Sequence, residues 1–256
     1  MEERLVHDNE KAYYTLCLVI SIITYLGLIL SIIGIFYIII GFIITIFVQG
    51  ISVGHIRNNG VKLTERQFPE IFERARNIAL QMGVSDVPDI FIVESGGTLN
   101  AFATHFLGRN FIVLYSDVVE LSKEGHKEEL DFIIAHELSH IKRKHVTKQI
   151  LILPALWIPF LGNAYSRACE YTCDRMAASY INNSAFAVNA LAILAVGKRL
   201  FVDIDIIEYI QTAKSESGFF IWLSQVLSTH PPLPKRIEEI QHFNRMIDVF
   251  KVTKVG

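Results

Sequence analysis

The chain has 256 residues, 51% of them hydrophobic and 20% charged, with a formal net charge of −2. This balance lacks the basic excess of a nucleic-acid-binding protein, is too apolar for a disordered chain and is too charged for one lying wholly within a bilayer. Three cysteines, an odd number without framework spacing, argue against a disulfide-stapled secreted domain.

Charge is segregated along the chain. No Asp, Glu, Lys or Arg occurs from Ala12 to Ile56, a stretch dominated by Ile and Leu. As one helix its most apolar part, Leu16 to Val48, would extend roughly 50 Å, against about 30 Å of hydrocarbon. Two spans fit better, near Tyr13–Leu30 and Ile35–Val53, with a tight turn around Ser31–Gly34. A cleaved signal peptide fits poorly, because the run far exceeds the usual core of about 7–15 residues and no small-residue cleavage site stands out. A buried soluble hairpin is the remaining alternative. Arg4 and Lys11 precede the run and Arg57, Lys62 and Arg66 follow it. A hairpin places both basic flanks on one side, which the positive-inside tendency makes cytoplasmic. The expected division is a cytoplasmic tail at 1–12, a transmembrane hairpin at 13–54 and a globular domain at 58–256. Cys17 is expected to be plain packing.

In the remainder, Thr64-Glu65-Arg66-Gln67 has capping-box form and predicts a helix through about Met82, with Phe68, Ile71, Phe72, Ala75 and Ile78 on its apolar side. Strands are predicted at Asp89–Glu94 and Phe111–Tyr115, with a turn at Gly108-Arg109-Asn110; Asn100–Phe106 is apolar and ambiguous. Ser116 can cap a short helix, Asp117–Leu121. Helical periodicity then covers about 127–147, 165–182, 184–200, 204–212, 218–228 and 234–250. A small sheet followed by a mostly helical half predicts an α+β fold.

His136-Glu137-Leu138-Ser139-His140 is an H-E-x-x-H motif within one of these helical patterns. At about 100° per residue the two histidines lie about 40° apart on the flank of the Leu130, Ile133, Ile134, Leu138, Ile141 stripe, where one cation can bridge them. Two imidazoles suit zinc, and Glu137, the neighbouring residue, is then placed to take a proton from water activated at the ion. The alternative is a helix whose histidines are solvated or hydrogen-bonded, so the third ligand decides. Glu170 is the candidate. It opens Glu170-Tyr171-Thr172-Cys173-Asp174 on a predicted helix, and His-His-Glu is a known zinc set that leaves a fourth position open. Asp174, one turn on, can accept the free ring N–H of His136.

His136–His140 together with Ser166-Arg167-Ala168-Cys169-Glu170-Tyr171-Thr172-Cys173-Asp174 resembles the HtpX-like and type I CAAX prenyl protease family of membrane zinc metallopeptidases. Asn100-Ala101-Phe102-Ala103 resembles that family's N-A-F-A stretch, and Ser228-Thr229-His230-Pro231-Pro232-Leu233-Pro234-Lys235-Arg236 its late H-P-P stretch. The resemblance implies a gluzincin-like endopeptidase domain with one Zn2+ per chain, a polypeptide substrate and a lipid bilayer as its setting. Asn100, Ala101, Phe102 and Ala103 then fall on an edge strand where substrate backbone can add, His230 becomes a candidate donor to the oxyanion, and Arg236 a candidate substrate contact. Arg167 is structural on this view. The implied role is membrane-protein quality control. Other classes fitting the same residues are a membrane-tethered chaperone or scaffold with structural zinc, a zinc hydrolase acting on a non-peptide bond and a prenyl-protein processing protease.

This sequence departs from HtpX-type members, which carry a second pair of spans. Gln149–Tyr165, interrupted by Pro154 and Pro159, is too short to span, as is 186–196. The first is expected to be a lipid-facing or cleft-covering hairpin with Trp157 at the interface. Cys169 and Cys173 flank Glu170 and are expected to be packing residues rather than thiolate ligands.

Overall fold

The computed structural model describes residues 2–94, 96–181 and 183–252, with 2 and 245–252 by backbone only. Asn182, the expected last residue of one helix, and Met1 and 253–256 at the ends of the expected division lie outside these residues.

A short 3-10 turn at Glu2–Arg4 precedes two long helices, α1 at Asp8–Leu30 and α2 at Ile32–Asn59. Their lengths, about 35 and 42 Å at 1.5 Å per residue, exceed the hydrocarbon thickness of about 30 Å. Both are apolar enough to cross a membrane, and only 11% and 6% of their most apolar windows are buried against protein. A soluble core hairpin would show the reverse burial. The charge-free region therefore forms a transmembrane hairpin, longer at both ends than the expected spans. One residue, Ser31, makes the link. It closes α1, and its Oγ accepts the Gly34 N–H at 3.3 Å to cap α2. A Cβ at Gly34 would meet the Leu28 carbonyl oxygen at 2.2 Å, so only glycine permits this return.

The sheet has order β1-β2-β4-β3, from β1 (Val61–Lys62), β2 (Asp89–Val93), β3 (Ala101–Phe106) and β4 (Arg109–Tyr115). β2 and β4 are parallel, and β1 and β3 flank them antiparallel. Ile90, Ile92, Ile112 and Leu114 face the main core, while Phe91, Phe111 and Val113 pack with Val53 and Ile56 at the end of α2. Burial on both faces explains the continuous apolar runs of β2 and β4. The ambiguous segment is thus the edge strand β3. Its hairpin turns at Leu107-Gly108, both at positive φ, rather than at Gly108–Asn110, so Arg109 and Asn110 already belong to β4.

The helix α3 runs Pro69–Gln81, not from Thr64. Gln67 N–H does donate to Thr64 Oγ1 at 3.1 Å, but within a turn. Phe68 sits at φ 60°, outside right-handed helical geometry, and α3 starts with Pro69 in its first turn. After α4 (Ser116–Glu120), α5 (Lys127–Lys142) passes through the core beside α8 (Leu161–Ile181) and α9 (Ser184–Val196). The helix expected over 127–147 breaks at Lys144, whose φ of 55° ends α5 and starts α6 (His145–Leu151). α7 (Leu153–Leu156) packs on α1, where Ala155 N–H reaches Ser21 Oγ at 3.3 Å. A 3-10 turn at Phe201–Asp203, then α10 (Ile206–Ser215), α11 (Phe219–Leu227) and α12 (Leu233–Val252), complete the chain.

Left-handed geometry costs a residue with a Cβ about 1–2 kcal/mol. Lys144→Gly is predicted to leave unfolding stability in detergent equal or higher by up to about 1 kcal/mol, whereas Lys144→Val lowers it by about 1–2 kcal/mol. Thermal unfolding of the purified variants checks both.

Candidate metal centre

Two core helices carry the site. α5 places His136 and His140 one turn apart, and α8 brings Glu170 against both. His140 Nε2 stands 3.2 Å from His136 Nε2 and 3.2 Å from Glu170 Oε1; His136 Nε2 stands 3.4 Å from Glu170 Oε2. The expected third carboxylate therefore meets both imidazoles. His136 Nδ1 lies 2.9 Å from Asp174 Oδ1, the contact anticipated from the one-turn spacing. Glu137, 7% exposed, lines the same cleft of about 330 Å³.

The electrostatics are those of a site built for positive charge. Burial works against ionised Glu170, but the two histidines beside it win and hold its carboxyl well below the usual range. Burial likewise opposes ionised Asp174, and the Arg236 guanidinium lowers it. Burial also opposes charge on His136, yet its hydrogen bonds to the Asp174 and Glu170 carboxylates push it up to about 10.

Cys173 offers an alternative third donor, since its Sγ lies within 4.8 Å of a nitrogen of each histidine. Burial, with Glu170 close by, pushes its thiol well up, and burial raises Cys169 too. Both cysteines are buried next to the site, and Glu170 oxygens stand 3.2–3.4 Å from the two imidazoles.

Arg236, the candidate substrate contact, lines the cleft and is held from inside the site. It is 6% exposed; its Nε and Nη2 donate to the two Asp174 oxygens at 2.7 Å each, and Nη1 lies 3.4 Å from Glu170. Two buried carboxylates one turn apart are thereby given a cation between them. His230 is largely exposed on the loop before α12, with Nε2 3.6 Å from Glu170 Oε1. Arg167 fixes the start of that loop through the carbonyls of Val226 (3.0 Å) and Ser228 (2.7 Å). Asn100, Ala101, Phe102 and Ala103 line the cleft; β3 is the end strand of the sheet. Of the apolar stretch 149–165, Gln149 lines the cleft.

Two residues reach the site that no motif points to. His145, five places after His140, folds back through the Lys144 turn to put its Nδ1 3.1 Å from His140 Nδ1. Glu10, the last acidic residue before the charge-free run, lies 3.3 Å from His145 Nε2.

The chain matches Peptidase family M48 over residues 65–159 and 152–244. It is 24% identical to a protein named Protease HtpX homolog of Streptococcus pyogenes, over 85% of this chain and 86% of that one. It is 27% identical to the Plastoglobule-localized metallopeptidase 48, chloroplastic, of Arabidopsis thaliana, over 66% of this chain and 55% of that longer relative. No solved structure matches. With paired histidines and a buried glutamate at its centre and a membrane hairpin ahead of it, the chain belongs to peptidase family M48 as an HtpX-like membrane metallopeptidase.

Proposed function

We propose that this metallopeptidase is a zinc-dependent endopeptidase whose ion is held by His136, His140 and Glu170. The carrying observation is the mutual spacing of 3.2–3.4 Å among their donor atoms. Donors about 2.0–2.1 Å from a tetrahedral zinc stand about 3.3–3.4 Å apart, and three protein donors leave the fourth position that catalytic sites need. Bound there, zinc supplies Lewis-acid polarisation and lowers the pKa of water.

The chain's own residues do the rest. Glu137 takes the proton from the attacking water and passes it to the leaving nitrogen. Asp174, clamped by Arg236, holds the Nδ1 proton of His136 so that Nε2 presents its lone pair. The free edge of β3 pairs with substrate backbone at Asn100–Ala103, which aligns the scissile carbonyl along the cleft. His230, on its exposed loop, donates to the oxyanion.

The proposed organisation keeps a tail at 1–12, a hairpin at 13–54 and a peptidase domain at 58–256, on the cytoplasmic side because Arg4, Lys11, Arg57, Lys62 and Arg66 all flank the hairpin there. Exposed Trp157 beside α7 then meets the lipid interface, since α7 leans on α1. The tethered cleft suits unfolded membrane proteins and juxtamembrane loops, the substrates of quality control.

Glu137→Gln is predicted to lower casein cleavage by about 10²–10⁴-fold while zinc content stays at one per chain. Bound zinc without casein cleavage, in wild type and Glu137→Gln alike, would assign the zinc a structural role in a scaffold, and cleavage of a farnesylated peptide in preference to casein would assign prenyl processing. Stability also follows from the charges. Glu170 and Asp174 titrate below their unfolded values, so their contribution is present above about pH 4 and fades as pH falls further. His136 is raised, so its contribution is complete below about pH 6.5 and is lost as pH rises towards about 10. Chelator-treated protein should lose stability on both limbs and zinc-loaded protein only on the acid limb, as thermal unfolding across pH will report.

A further inference from the structure

The side of His140 away from Glu170 is closed by groups that the proposed hydrolysis does not use. His140 Nδ1 faces His145 Nδ1 at 3.1 Å. His145 is 1% exposed, and its Nε2 meets Glu10 Oε1 at 3.3 Å with no aligned hydrogen-bond partner among the described residues. Glu10, equally buried, stands on the first turn of α1 and is gripped by Arg143 Nη2 at 2.8 Å, with Lys148 Nζ at 3.7 Å. The preceding residues are fastened to the peptidase half. His7 N–H donates to Thr172 Oγ1 at 3.0 Å, and Leu5 packs with Met176 and Phe243.

One proton arrangement suits this row when Glu10 is ionised and His145 neutral. The Glu10 carboxylate holds the His145 Nε2–H side of the ring by charge contact at 3.3 Å rather than by an aligned hydrogen bond, His145 Nδ1 accepts from His140 Nδ1–H, and His140 Nε2 is left with its lone pair. That is the state a metal ligand requires, and Asp174 secures it directly for His136. The competing use of Glu10, His145 and Cys169, whose ligand atoms lie within 4.8 Å of one another, is a second cation site. Arg143 and Lys148 already supply the positive charge there and would repel a metal ion.

We propose that Glu10, on the first membrane helix, is a positioning residue for the metal centre, fixing the tautomer and orientation of His140 through His145. The proposal rests on the zinc reading above. It makes the seating of the membrane hairpin a determinant of metal affinity.

The test is zinc affinity of the full-length protein in detergent, measured by competition with a chromophoric chelator. Glu10→Gln and His145→Phe should each weaken zinc binding about 10–100-fold. Combined, they should weaken it no further than His145→Phe alone, because the row is already broken. Leu5→Ala, which loosens the same tail without touching the row, should change affinity less than about twofold. If His145→Phe does not fold, His145→Gln replaces it in the cycle. Unchanged affinity in Glu10→Gln, losses that add, or an equal loss in Leu5→Ala would overturn the proposal. His140→Ala separates the two readings. Zinc bound by wild type and lost in His140→Ala upholds the metal centre whatever Glu10 does, whereas zinc absent from wild type, or retained in His140→Ala, sinks both.

Discussion

Two carboxylates buried one turn apart on α8 set the terms for this molecule. Withdrawing each from water costs several kcal/mol after relaxation, and both at once are tolerated only if positive charge is brought to them. Arg236 answers Asp174 with two parallel hydrogen bonds, and the two histidines of α5 answer Glu170 together with whatever positive charge they share. Three helices distant in sequence, α5, α8 and α12, are thereby held in one register. The apolar core supplies the gross burial energy, but it is non-directional; the charges decide which turn of one helix meets which turn of the next.

The membrane hairpin is more than a tether. Within the charge-free run itself α1 packs on α8, with Tyr13, Tyr14 and Cys17 in one cluster with Tyr165 and Cys169, and α7 rests against its middle at Ser21. The end of α2 covers one face of the sheet through Val53 and Ile56, so the strand that borders the cleft is backed by a membrane helix. Hairpin and peptidase domain thus share their packing.

Much of this was legible in the sequence because it depends on short-range periodicity. The H-E-x-x-H spacing on a helix, the Glu170 to Asp174 turn and the charge-free run each state their geometry within a few residues. What was not legible depended on competition or on long-range return of the chain. Thr64 to Gln67 has the form of a helix start, but Phe68 sits outside right-handed helical geometry and α3 starts downstream at Pro69. Nothing local marks Lys144 as left-handed, so the break that returns His145 to His140 is invisible in the periodicity. Arg236 looked like a solvated or substrate-facing cation on the first turn of its helix. Its partner lies 62 residues earlier in the chain, and only the fold reveals that its charge is needed inside.

The central claim is that a carboxylate, and not a thiolate, completes the pair of imidazoles around the ion. X-ray absorption at the zinc edge of the purified full-length protein tests it most directly. The account predicts nitrogen and oxygen neighbours at about 2.0–2.1 Å, two of them imidazole, with no sulfur. A sulfur shell at about 2.3 Å would place Cys173 in the coordination sphere and contradict it.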